Sequence, residues 1–280
     1  MMDADPLLKE LKQALESFDS DRCLQLARQL SDVVQDMDGI LLVATAFLEV
    51  GQPSETLQRI KDLQQQGSAA PGYDEDLNRV LLHRNAEALF LTGDPQGALT
   101  QTMDLEPSDS LEASDREFFL GLCHDHLRDP ESADEHFTRS TELDPVGNPP
   151  IPEITPDEAH DLIARVLGEL PENIRKELEE VPIILEDLPE LSMIQESAGQ
   201  ISPDTLGLYC GNGIGERHMG NISSHEGMPT MASIRIYRRN LERMSRDEED
   251  LVKQVKITLL HEIGHHLGLD EDDISQLGLA

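Results

Sequence analysis

Three short turn signals, Gly51-Gln52-Pro53, Gly93-Asp94-Pro95 and Arg128-Asp129-Pro130, each interrupt a run of helical periodicity. Proline is tolerated in the first turn of a helix, where its missing N–H has no partner to lose, so each signal marks the end of one helix and the start of the next. Between the signals apolar residues recur at spacings of three and four, as in Leu7, Leu8, Leu11, Ala14 and Leu15, and again in Cys23, Leu24, Leu26, Ala27 and Leu30. From Pro6 to about Pro145 the pattern predicts helix, turn, helix, repeated, with the first two hairpins at about 6–35 and 39–66. Such a hairpin cannot bury both faces alone, so an all-α stacked array is expected.

The last of these units carries more detail. Counting from Ser114, small residues fall at the eighth, twentieth and twenty-seventh places (Gly121, Ala133, Ser140), and Pro145 falls at the thirty-second. This resembles a tetratricopeptide repeat. The preceding unit keeps Ala86 and Ala98 at the same spacing but places Leu105 at the third small position. The resemblance implies three to four helical-hairpin units in a solenoid whose groove can take a peptide or a partner protein. Small residues at helix crossings also follow from close packing alone. His83, His124, His126 and His136 are expected in packing roles, and His124 and His126, two apart on one helix, face different sides.

Val146 to Pro156 holds four prolines and reads as a stiff linker, dividing a helical repeat domain at 1–147 from a second domain at 148–280. Beyond it Thr155 caps a helix with Pro156 at the first position and Glu158 at the third, followed by Ala159, Leu162, Ile163, Val166 and Leu167 on the apolar side. A short helix is expected at about 171–180. Three strand candidates follow, Val181 to Leu185, Leu206 to Tyr209 and Ser233 to Arg238. The third alternates polar with apolar as far as Ile236, which predicts a half-buried strand at an exposed edge, where an extended substrate could add. A polar loop from Gly211 to Thr230, with five glycines, separates the second and third strands; its His218 and His225 are expected to be loop histidines.

Ser245-Arg246-Asp247-Glu248 reads as a capping box. It opens a helix to about Leu267, with Leu251, Val252, Val255, Leu259 and Ile263 as an apolar stripe and Gly268 as a left-handed cap. This helix carries His261-Glu262-Ile263-Gly264-His265, with Asp270, Glu271 and Asp272 behind Gly268. Residues four apart share a helical face, so His261 and His265 can present two imidazoles to one ion. Glu262, one step round, is placed to take a proton from water activated by that ion, an apparatus for hydrolysing an amide. With ten histidines in 280 residues the pattern arises by chance only about 0.03 times in such a chain. His266 points off the ligand face. Tyr209 and Tyr237 are read as strand packing, with a hydrogen bond to an oxyanion as their alternative.

The net charge of −34 argues against nucleic acid or an anionic membrane surface as partner, since either would repel the chain. Zero Trp and three Tyr leave little material for base stacking. Cys23, Cys123 and Cys210 are too scattered for a disulfide framework or a thiolate zinc knuckle, which points to a reducing compartment. The acidic start lacks signal-peptide features and no long apolar run occurs, so a cytoplasmic location is expected.

Residues from about 153 to 280 resemble the small bacterial zincin-like metallopeptidase family, the minimal zincins. Beside the His261 to Gly268 motif, the run Val181 to Pro189, the Leu-Gly-Leu-Tyr of 206–209, the Ile-Arg-Ile-Tyr-Arg of 234–238 and the Thr-Leu-Leu before His261 stand in the family's order. The 211–230 loop looks like an insertion. The resemblance implies a small α+β domain that binds Zn2+ through His261 and His265, with Glu262 as general base. Glu271 is then the third ligand, with Asp270 and Asp272 as alternatives. The expectation is a tetratricopeptide-like solenoid followed by a zincin-like α+β domain, acting as a zinc-dependent peptidase on a peptide or protein that the solenoid helps to recruit. The alternative is an interaction adaptor whose zinc domain is structural or inactive.

Overall fold

The computed structural model describes residues 4–66, 69–197, 199–211 and 232–278. The chain divides into two compact units, Met1–Asn148 with Glu190–Pro203, and Pro149–Pro189 with Asp204–Ala280. Among the described residues no helix is long and apolar enough to cross a membrane.

The first unit pairs α1 (Ala4–Glu16) with α2 (Ser20–Leu30), α3 (Met37–Glu49) with α4 (Pro53–Gln66), α5 (Glu75–Leu91) with α6 (Pro95–Met103), and α7 (Ser110–His126) with α8 (Pro130–Leu143). All four hairpin turns close in the same way. Phe18, Gly51, Gly93 and Arg128 adopt φ of 55°, 71°, 81° and 64°. In the third turn Gly93 N–H donates to Phe90 O and Asp94 N–H to Leu89 O, both at 2.9 Å, and the equivalent pair recurs in the other three. A left-handed residue here turns two N–H groups back onto carbonyls that the ending helix leaves unpaired. Asp94 and Asp129 then cap the next helix through Gly97 N–H (2.9 Å) and Ser132 N–H (3.2 Å). A non-glycine residue held left-handed costs roughly 1–2 kcal/mol. Arg128→Gly is therefore expected to stabilise the helical unit by about 1 kcal/mol, seen as a higher urea midpoint.

The small positions of the last hairpin are small for a steric reason. A Cβ on Gly121 would lie 2.7 Å from the Phe137 ring, and Ala133 is fully buried. Ser114 and Ser140 are also buried, each hydroxyl donating to the other's carbonyl at 2.8 Å. The helix histidines pack and pair. His136 lies 2.7 Å from Glu117 and His124 3.3 Å from Asp129, their rings stacked at 5.1 Å, while His126 is buried against Phe90.

The second unit begins with α9 (Pro156–Glu169), held by the expected Thr155/Glu158 capping box, and the short α10 (Glu172–Glu177). After β1 (Ile183–Glu186) the chain passes into the first unit as α11 (Leu191–Glu196). There Ile194 is buried and Gln195 donates to Gly93 O at 2.6 Å. The chain then returns as β2 (Gly207–Cys210) and, beyond the 211–230 loop, whose His218 and His225 lie outside the described residues, β3 (Ser233–Tyr237).

The sheet order is β1-β3-β2, with β1 parallel and β2 antiparallel to β3. This overturns the reading of Ser233 to Arg238 as an exposed, half-buried edge. β3 is the central strand, paired on both sides, and Ser233, Ile234, Ile236 and Tyr237 are all buried. Its polar Ser and Arg produced the alternation, but Arg235 is neutralised by a two-point pairing with Glu186 on β1 at 2.7 and 2.8 Å.

A second correction concerns the motif helix. Residues after β3 form α12 (Arg238–Met244), and Ser245 closes that helix through its hydroxyl on Leu241 O (2.7 Å) instead of opening the next. The N-cap of α13 (Glu248–Leu267) is Asp247, which accepts from Asp250 N–H at 2.8 Å. Gly268, at φ 91°, ends α13 as expected, but Val252 is 45% exposed and lies outside the apolar stripe. Leu251, Val255, Leu259 and Ile263 join Leu162, Ile163, Val166, Ile234 and Ile236 in one core. At its margin Glu242 is 1% exposed and accepts from Ile154 N–H at 3.0 Å and Arg238 Nη1 at 2.6 Å, with Arg243 at 3.6 Å.

Candidate metal centre

Two neighbouring faces of α13 do different work. Glu262 and His266, four apart, turn toward the sheet and are 6% and 1% exposed. His261 and His265, also four apart, lie one step round the helix and are only partly buried. Their Nε2 atoms face each other at 3.0 Å. Gly268 then reverses the chain, and α14 (Glu271–Gln276) begins with a carboxylate beside them. Glu271 Oε1 is 3.2 Å from His265 Nε2, and Oε2 is 3.8 Å from His261 Nε2. Among the described residues this is the group whose His, Cys, Asp or Glu ligand atoms converge, all within 4.8 Å of one another.

The donor set suits a zinc ion. Bonds of about 2.0–2.2 Å at tetrahedral angles separate ligand atoms by about 3.3–3.6 Å; the two imidazole nitrogens stand 3.0 Å apart, and Glu271 brings one oxygen to 3.2 Å from His265 and the other to 3.8 Å from His261, close to that spacing. His265 Nδ1 lies 3.3 Å from Leu269 O. A carbonyl only accepts, so Nδ1 donates to Leu269 O and Nε2 is the ring atom turned to the cluster.

Of the three acidic residues behind Gly268, Glu271 enters the cluster. Asp270 caps α14 through Asp273 N–H at 2.9 Å, and Asp272 is exposed and outside the group. Burial pushes the Glu262 carboxyl above the usual range, opposed by His261 and His265 and by the backbone amide of Tyr209, which hydrogen-bonds to it. Tyr237 is fully buried, and the Tyr209 hydroxyl is engaged by His266 at 3.2 Å, so these side chains pack as read from the sequence. The amide of Tyr209 and the carbonyl of Leu269 were invisible in the sequence, because backbone groups carry no residue-type signal.

Residues 178–279 match the model of the zincin-like metallopeptidase family. This part of the chain thus has a metallopeptidase-type fold. The solved structure titled "Crystal structure of MamA" is similar at a TM-score of 0.38 and 12% identity, over 67% of this chain and 91% of that one. No curated protein matches the chain.

Proposed function

We propose that this protein is a zinc-dependent peptidase in which His261, His265 and Glu271 hold the metal, Glu262 is the general base, and the helical hairpins recruit a peptide or protein. The observation that carries the reading is the convergence of two imidazoles and a carboxylate beside a separate, buried carboxylate. When bound, zinc supplies a Lewis acid that lowers the pKa of water toward about 7 and polarises a carbonyl.

Glu262 handles the proton. Its buried carboxylate, next to His261 on the helix, is placed to take a proton from the attacking water and pass it to the departing amide nitrogen. The balance closes: the C–N bond breaks, the water oxygen joins the carbonyl carbon, and the two water protons end on the new carboxyl group and the amine. The Leu269 carbonyl fixes the orientation of His265. For recruitment, a cavity of about 140 Å³ between α5, α6 and α7 offers Val80, Leu105 and Pro107 beside Arg79, Arg84 and Arg116.

The test is to load the purified full chain with zinc, follow cleavage of a mixed peptide library by mass spectrometry, and measure bound metal. His265→Ala is expected to lose at least tenfold in zinc affinity and cleavage with it. Full zinc retention by that variant removes the ligand assignment. A zinc-loaded wild type that cleaves nothing in the library removes the peptidase.

A further inference from the structure

The geometry points to β2 as the element that positions the general base, an inference that rests on the peptidase reading given above: we propose that Gly207, Tyr209 and His266 are positioning residues for Glu262. Three contacts between β2 and α13 carry it, the third braced by α10, all within the second unit. First, Gly207 brings the strand so close that a Cβ there would lie 2.9 Å from both Cγ and Oε1 of Glu262, and 2.6 Å from Thr258 Cγ2. No side chain larger than hydrogen fits without moving the carboxylate. Second, the Tyr209 amide hydrogen-bonds to that carboxylate. Third, the Tyr209 hydroxyl lies 3.2 Å from His266 Nδ1, and His266 Nε2 lies 3.2 Å from Glu177 O.

The last pair fixes the ring. The Glu177 carbonyl can only accept, so Nε2 donates to it and Nδ1 is left to pair with the tyrosine hydroxyl. A fully buried histidine so locked holds Tyr209, and through it the strand, against the helix. Glu262 and His266 lie four apart on the same face, so one residue of β2 grips both, its amide on the first and its hydroxyl on the second. The double histidine His265-His266 therefore splits between the metal-facing and the strand-facing sides of α13. A general base must be held close to its productive position, and a displacement of about 1 Å costs on the order of a hundredfold in rate.

Two measurements test this, one of them independent of catalysis. In the zinc-loaded full chain, Gly207→Ala is expected to lower kcat about a hundredfold, with KM changed less than about threefold and zinc content unchanged. Tyr209→Phe keeps the amide and loses only the hydroxyl, and is expected to lower kcat about tenfold with zinc retained. The second measurement is a double-mutant cycle of Gly207→Ala and Glu262→Ala in metal-free protein carrying Thr258→Ser, which removes the other crowded methyl. The drop in urea midpoint caused by Gly207→Ala is expected to shrink by about half or more once Glu262 is truncated. A non-additive cycle supports the assignment even where the wild type cleaves no peptide tried. An additive cycle, or a Gly207→Ala variant with full kcat, overturns it.

Discussion

Glu262→Gln is expected to keep zinc at the wild-type level while slowing peptide hydrolysis about a thousandfold. The substitution changes almost nothing else. Glutamine has the same shape as glutamate, fits the space that Gly207 leaves, and still offers a carbonyl oxygen to the Tyr209 amide. Its side-chain amide cannot accept a proton at neutral pH. The three groups that converge for the metal, His261, His265 and Glu271, are untouched. Elemental analysis and cleavage rate on the same preparation check both halves of the expectation. Equal cleavage by the variant and the wild type would remove Glu262 from its role.

The second large effect is on stability. Glu242→Ala is expected to destabilise the second unit by about 2–3 kcal/mol, because it takes a buried acceptor from the Ile154 amide and one carboxylate from Arg243 and from Arg238, which keeps Asp187 and the Ile154 carbonyl. Glu242→Gln should cost far less. Burial holds the Glu242 carboxyl above its ordinary value despite the hydrogen bond from Ile154 and the neighbouring arginines. A carboxyl whose folded value is raised favours the fold most below its unfolded value and loses that contribution as pH rises through the folded one. The amide, neutral at every pH, should therefore compare best with wild type at the alkaline end. Urea denaturation of the three proteins at pH 5 and pH 8 measures both the size and the sign.

The metal motif was legible because four-residue spacing on a helix is a local rule, and Gly268 ended the helix where expected. The hairpin turns at Gly51 and Gly93 were legible for the same reason. Phe18 closes an identical turn with no glycine to announce it, and nothing in its side chain, 90% exposed, marks a left-handed residue. The three strands lie where the sequence places them, but the third is central and not an edge. Whether Ser233–Tyr237 is an edge or a centre depends on β1 partners just over fifty residues earlier and on the pairing of Arg235 with Glu186, which makes a polar residue acceptable in a central strand. The capping error has a similar origin. Seven residues from Arg238 to Met244 coil into a helix driven by burial of Leu241, and Ser245 was already spent on ending it.

One stretch resists any division of this chain into interchangeable parts. Both ends of α11 are joined by the chain to the second unit, yet its middle is lodged with the hairpins, where Ile194 lies against Gly93 and Gln195 grips that glycine's carbonyl. A polypeptide begun at Pro149 carries that stretch without its seat, and a shortened chain that drops it must rejoin β1 to β2 by some other route. Either cut therefore takes something from both units, and an excised second unit is better made with 190–203 replaced by a short polar loop than with that stretch left in place.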